Sequence, residues 1–242
     1  GTQAIEFNDN ADYELGDSGS TVSAIEATNA ADLTLNNNQG SSTGTTVNVN
    51  GDVNYNGTDA FNLTVTDATT GVTGDFAVNV NENVDLGAGT LDVTADDDDA
   101  ALTVAGTTNA GDVTVSTIGA ANASATVTGN ANVGAVTVGG AGGGGTSSLT
   151  ASGNLTTTGL TLDESSPSGA ASLTLNGTTD QSVSGTIDGD ANDSGAIVVN
   201  NTGADTTTTF NGVIGANTAT SEVGTLTVTS GDTVLAENAT FN

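Results

Sequence analysis

A short unit recurs along this chain: apolar, polar, apolar, most often with Thr or Asn in the middle. It reads LTL at 33–35, VNV at 47–49, LTV at 63–65, VNV at 78–80 and LDV at 91–93. It continues as LTV at 102–104, VTV at 113–115, ATV at 125–127, VTV at 136–138 and LTA at 149–151. LTL at 160–162, LTL at 173–175, IVV at 197–199 and LTV at 226–228 complete the series. Successive starts are mostly 11 to 16 residues apart, and often 11 in the middle third, and internal repetition of this kind is the first clue to architecture. Strict alternation sends one set of side chains to a core and the other to water, which is the signature of a half-buried strand. Val, Leu and Thr suit such a pleated surface. Gly, Asn, Asp and Ser fill the intervals, and these residues tolerate turns and positive φ. Helical signals are nearly absent: the Ala-rich piece AIEATNAAD (24–32) is short and interrupted. The pattern predicts an all-β protein of roughly 15 short strands.

Two architectures accommodate such strands. In a β-solenoid, coils stack and each strand pairs with the coil above and below. In one or two β-sandwiches, two sheets pack face to face and turns fall about every 8–12 residues. Composition separates them. Sandwich cores usually carry large aromatics, whereas here aromatics are 3% and Trp is absent. Small, uniform inward residues suit the narrow interior of a stacked coil. Pairs of units of about 11 residues give coils of about 22 residues, within the range of solenoid repeats. The expectation is a β-solenoid forming a single elongated domain over 1–242, with the sandwich as the alternative. The run GGAGGGGTSS (139–148) is the one low-complexity break. It reads as a flexible loop, and its Gly-rich part, 139–146, marks where a subdivision of the chain would fall. No Lys follows it, so it is not a phosphate loop.

Charge decides which functions are open. The 242 residues hold 29 acids and no Lys, Arg or His, for a net charge of -29. Yet charged residues are only 12% of the chain and 35% is apolar and regularly patterned, so this is a folded protein and not a disordered acidic tail. Nucleic-acid binding needs cations to displace phosphate counterions. Anionic lipid surfaces would repel the chain, and no apolar run is long enough for a membrane-spanning helix. Without Cys or His, zinc, haem and iron–sulfur sites lose their usual ligands. Ser-His-Asp, Cys-His and Lys-based catalysis are excluded within the chain, as are covalent Lys–Asn crosslinks. Only carboxylates, Tyr13 and Tyr55 remain for proton transfer, so an enzyme is not expected. Zero Cys fits an exported protein that does without disulfides. The opening GTQAIEFNDN lacks the basic and apolar regions of a signal peptide, so an exported chain would here be a mature or excised segment.

The phrases GNANVGAVTVGGAGGGGTSSLTASGNLTTTGLTL (129–162), LTLNGTTDQSVSGTIDG (173–189) and FNGVIGANTATSEVGTLTVTSGDTVLAENATFN (210–242) carry a resemblance. They are similar to repeats in passenger domains of bacterial autotransporters and filamentous-haemagglutinin-like secreted proteins. The Thr/Ala/Gly/Val-rich, Lys-poor character also resembles bacterial surface-layer proteins. The resemblance implies an extracellular, cell-surface β-solenoid acting as an adhesin, a surface array or a stalk. It carries no catalytic motif.

Candidate sites follow from the acids. Asp96, Asp97, Asp98 and Asp99 lie between two triplets and so occupy a turn. Adjacent carboxylates repel, and with no Lys or Arg only cations from the medium relieve them. Calcium takes six to eight oxygen ligands, which makes these four residues candidate calcium ligands. In TIDGDANDSGAIVV (186–199), Asp188, Asp190 and Asn192 are spaced two apart and Asp193 follows, giving a second candidate. Position 199 is Val where a calcium loop of the EF-hand type needs Glu, so that motif is excluded. FNDNADYELGD (7–17) offers Asp9, Asp12, Glu14 and Asp17 as a third. Asp163 and Glu164 are adjacent and would point to opposite sides of a strand, which disfavours a glycosidase pair.

Thr103, Thr114, Thr126 and Thr137 are expected to stack along one solvent-facing side of a solenoid. The eight Asn-x-Ser/Thr sites, at Asn56, Asn62, Asn122, Asn154, Asn176, Asn192, Asn200 and Asn238, are about what this composition yields by chance. The two ends carry similar strands, IEFN at 5–8 and ATFN at 239–242. Ile5, Phe7 and Phe241 are therefore candidate self-assembly residues, because uncapped strand edges invite pairing. The expected function is an extracellular structural protein that self-assembles, head to tail or as a lattice, into a surface layer or fibre stabilised by calcium. Its partner is itself. The alternative is an adhesin passenger or stalk, for which cell-surface glycans are candidate partners.

Overall fold

A computed structural model of the chain describes residues 2–7, 12–15, 25–29, 31–37, 44–57, 60–67, 74–96, 98–139, 144–164, 169–190, 194–215 and 222–241. It is an all-β parallel solenoid with no helix among these residues. The first coil holds β1 (Thr2–Phe7), β2 (Asp12–Leu15) and β3 (Ile25–Ala27). The second holds β4 (Ala31–Asn37), β5 (Thr45–Val49) and β6 (Val53–Tyr55), and the third β7 (Phe61–Asp67), β8 (Phe76–Val80) and β9 (Val84–Asp85). Next come β10 (Leu91–Ala95), β11 (Ala100–Val104) and β12 (Thr108–Ala110), then β13 (Val113–Thr117), β14 (Ala123–Val127) and β15 (Ala131–Val133). The chain continues through β16 (Ala135–Gly139), β17 (Thr146–Ala151), β18 (Leu155–Asp163), β19 (Ala170–Leu175) and β20 (Gln181–Gly189). It closes with β21 (Ser194–Asn200), β22 (Thr207–Phe210), β23 (Val223–Ser230) and β24 (Asp232–Leu235).

Each coil has three sides. The first face stacks β1, β4, β7, β10, β13 and β16, then the later halves of β18 and β20. The second stacks β2, β5, β8, β11, β14, β17, β19, β21 and β23. The third stacks β3, β6, β9, β12 and β15, then the first halves of β18 and β20, then β22 and β24. β18 and β20 each round the corner from the third face to the first, with a register shift between Thr156 and Gly159. Parallel neighbours need a long crossover; here the other two sides of the coil supply it.

The triplets explain the register. Leu33, Leu63, Leu91, Val113, Val136, Leu160 and Ile187 stand one above another on the first face. Their numbers mark out the length of each coil, which is greatest toward the two ends and least in the middle. Val47, Val78, Leu102, Ala125, Leu149, Leu173, Ile197 and Leu226 form the matching column on the second face. Consecutive triplets up to 175 thus alternate between two faces. A coil therefore does span a pair of triplet units, as in the step from Leu91 to Val113, but it carries a third strand besides the two triplets. The third face, with short strands such as VNY, VD and TNA, brings the total to 24 strands among the described residues. The alternation also corrects the Thr stack. Thr103 and Thr126 share the second face, whereas Thr114 and Thr137 share the first.

Inward residues are buried in every middle strand, with Phe61, Phe76 and Phe210 among the few large ones. A void of about 20 Å³ lies among Leu102, Ala125, Ala131 and Leu149. Its lining is mostly apolar, with Thr108 and Thr126 also facing it. Corner glycines let coils approach. A Cβ on Gly145 would run into the Ala121 carbonyl oxygen, and one on Gly129 would sit 2.5 Å from that of Gly106.

Candidate functional site

With no side-chain cation in the molecule, each carboxylate needs another partner. For several of them the structure supplies it from a neighbouring coil, by amides. Asp99 Oδ1 accepts the backbone N–H of Asn122 at 2.7 Å and its Nδ2–H at 3.0 Å. Asn122 Oδ1 in turn accepts the Thr146 N–H at 3.0 Å, one coil further on. The same relay runs down the corner before the third face. Asp52 Oδ1 accepts Asn83 N–H at 3.0 Å, and Asn83 Oδ1 accepts Thr107 N–H at 2.8 Å. Asn130 Oδ1 accepts Asn154 N–H at 2.9 Å, and Asn154 Oδ1 accepts Ser182 N–H at 2.8 Å. On the third face itself, Asn109 donates Nδ2–H to Asp85 Oδ1 at 2.8 Å, and Asn132 donates to Asn109 Oδ1 at 3.2 Å. The deepest carboxylate, Asp67, accepts Nδ2–H of the equally buried Asn37 at 3.1 Å.

These side-chain ladders are what the sequence reading misses. Their signal is an Asn or Asp recurring just before a strand at the coil period, as in Asp52 and Asn83, Asn130 and Asn154, or Asp99 and Asn122. These amides give the carboxylates hydrogen-bond donors that no Lys, Arg or His in the chain could supply.

Asp96, Asp98 and Asp99 lie on the corner between β10 and β11, as a turn; Asp97 is outside the described residues. Asp98 Oδ2 is buried and has no hydrogen-bond partner. Asp188 projects outward from β20, in register with Thr161, and Asp190 follows the strand. Asn192 and Asp193 are outside the described residues, as are Asp9 and Asp17. Among the described residues, no three carboxylates gather as a metal-binding group. Asp12 and Glu14 occupy β2, opposite Thr46 and Asn48.

Ile5 and Phe7 lie in β1, paired with Leu35 and Asn37; their side chains are outside the described residues. Phe241 is not in a strand. It makes an isolated parallel bridge to Val223, as Ala239 does to Ile214, and packs half-buried against the core. No protein-family model, no curated protein and no solved structure matches this chain.

The last coil differs from the coils in the middle of the stack. Val228 stands above Val199 and Leu235 above Phe210, both in inward register. Yet Val228 is 46% and Leu235 42% exposed, because β23 and β24 end their sheets. β1, β2 and β3 end the same sheets at the opposite pole.

Proposed function

We propose that this chain is an extracellular structural rod that adds end to end, the first coil of one copy pairing with the last coil of the next. The observation that carries the reading is the uncovered inward pair Val228 and Leu235. A further coil laid on β23 and β24 would bury them and pair the edges left open beyond the Val223–Phe241 bridge. Parallel pairing preserves chain direction, so β2 and β3 of a second copy fit β23 and β24 only head to tail. Such a contact is heterologous and non-closing, and it generates fibres. The likeness to passenger domains and surface-layer proteins supports a cell-surface setting.

A net charge of -29 per copy opposes this growth. Calcium enters the reading as the counter-ion, with Asp96, Asp98 and Asp99 its first candidates and the unpartnered Asp98 Oδ2 its support. Multi-angle light scattering of EDTA-stripped protein, titrated with CaCl₂ at fixed ionic strength against MgCl₂, tests both parts. A stepwise rise in mass at low-millimolar calcium is expected, and deletion of residues 1–15 is expected to abolish it. A constant monomer mass, or unchanged growth after the deletion, would refute end-on assembly.

A further inference from the structure

The acids are unevenly placed. Of the 29, residues 1–112 hold 19, residues 113–162 hold none and residues 163–242 hold 10. The empty stretch runs from β13 to the later half of β18. It makes two whole coils, so the molecule wears an uncharged girdle around all three faces and all three corners. At the corner between the first and second faces, coils to either side carry Asp96, Asp98 and Asp99 or Asp163 and Glu164. The girdle presents Ile118 there instead, 59% exposed, followed by Gly119. Ile118 is the one large apolar side chain exposed outside the last coil among the described residues.

The faces differ too. Outward positions of the first face include Asp32, Asp92 and Asp188, and those of the third include Glu26, Asp85 and Asp232. The second face has no acid on its outward rows from β5 to β23. One row runs Thr46, Ala77, Ala101, Ser124, Ser148 and Ser172, ending in Ala196 and Thr225. The row beside it runs Asn48, Asn79, Thr103, Thr126, Thr150 and Thr174, ending in Val198 and Thr227. β14 and β17, the girdle's two strands, are the fourth and fifth of these eight.

We infer that the second face, centred on β14 and β17, is where a second copy of this chain packs side by side. Elsewhere, lateral approach sets carboxylates against carboxylates with no cationic side chain to answer them. Here it opposes only hydroxyl, methyl and amide groups. A two-fold axis between β14 and β17 lays the girdle on itself and overlaps all eight strands. Eight strands about 4.8 Å apart, each rising about 3.3 Å per residue over about five residues, cover about 600 Å² per copy. The total of about 1,200 Å² is at the lower edge of specific interfaces, which makes the association reversible. It is independent of end-on growth, since it thickens the rod and does not lengthen it.

Small-angle scattering of the full chain in 0.15 M NaCl over a concentration series gives mass per unit length, which separates the two. The expected result is a doubling of mass per length as concentration rises. The pair Thr126→Asp with Ser148→Asp should hold it at the single-rod value, while Thr114→Asp with Thr137→Asp, on the first face of the same coils, should still double. Circular dichroism confirms that both variants keep their strands, and Thr126→Ser with Ser148→Ala should double like the parent. A single-rod value at every concentration overturns the inference, even if the rods lengthen. So does doubling that survives the second-face aspartates, or that is lost equally in the first-face pair. A single rod that arrests ice growth through Thr126 and Ser148 would give the face to an ice lattice and overturn it as well.

Discussion

The coil running from β16 through β17 into β18 and the last coil at β23 and β24 are built from the same alphabet. Both alternate apolar and polar residues, and both aim Leu and Val inward. Leu162 in β18 is nevertheless fully buried, while Leu235 in β24 is 42% exposed. The two differ only in having a coil above. Burial in this molecule is therefore a property of stacking, not of the strand that supplies the side chain, as expected where each repeat contacts only its neighbours.

Substitution can break that contrast. Leu162→Ala removes fully enclosed methyl groups and should cost about 2–5 kcal/mol, whereas Leu235→Ala should cost about 1 kcal/mol or less. Urea unfolding of the two variants beside the parent measures the gap; equal losses would mean the last coil is covered. Asn37→Ala comes next. It strips a donor from the buried Asp67 carboxylate, and about 1–3 kcal/mol should go with it, read from the same curves. Gly129→Ala sharpens the comparison at a corner. Its new Cβ must push the Gly106 carbonyl away, so about 1–3 kcal/mol is expected, where a Gly in an open loop would tolerate the change. Asn122→Ala is smaller. It breaks the relay from Asp99 to Thr146 at a solvent-exposed corner, for about 1 kcal/mol, and faster hydrogen exchange at the Thr146 amide should report it. Thr103→Ser, outward on the second face, should stay within about 0.5 kcal/mol.

The triplets make two of the three faces legible because Leu or Val flanks a polar residue at nearly every pass. They do not reveal the third. Val84–Asp85 is a single dipeptide and Thr108–Ala110 starts inward with Thr, so neither alternates long enough to register as a strand. The interval between triplets marks a step between faces and not a turn of the coil; the ladder partner of Leu91 is Val113, two triplets on. The Gly-rich run, read as a loop, falls between the end of β16 and the start of β17, with residues 140–143 outside the described ones. The fate of the carboxylates is not readable. Asp99 looks unpaired in sequence because its partner, Asn122, is a full coil away. Four consecutive aspartates stand out and point to calcium, while the amides that serve such groups elsewhere are scattered singly among turn residues.

The short coil has one more consequence, for the order of events in folding. Between Leu91 and Leu160 the chain returns to its own ladder at Val113 and again at Val136, each circuit no longer than three strands and their corners. No native contact there has to wait for a distant segment, and the entropy of closing each turn stays the same however long the stack becomes. A chain delivered gradually, from a ribosome or through a narrow passage, could lay each coil on the one before as soon as those residues emerge. Every coil so laid would resist being drawn back, so the free energy of stacking would serve as a one-way pull on the chain still to come.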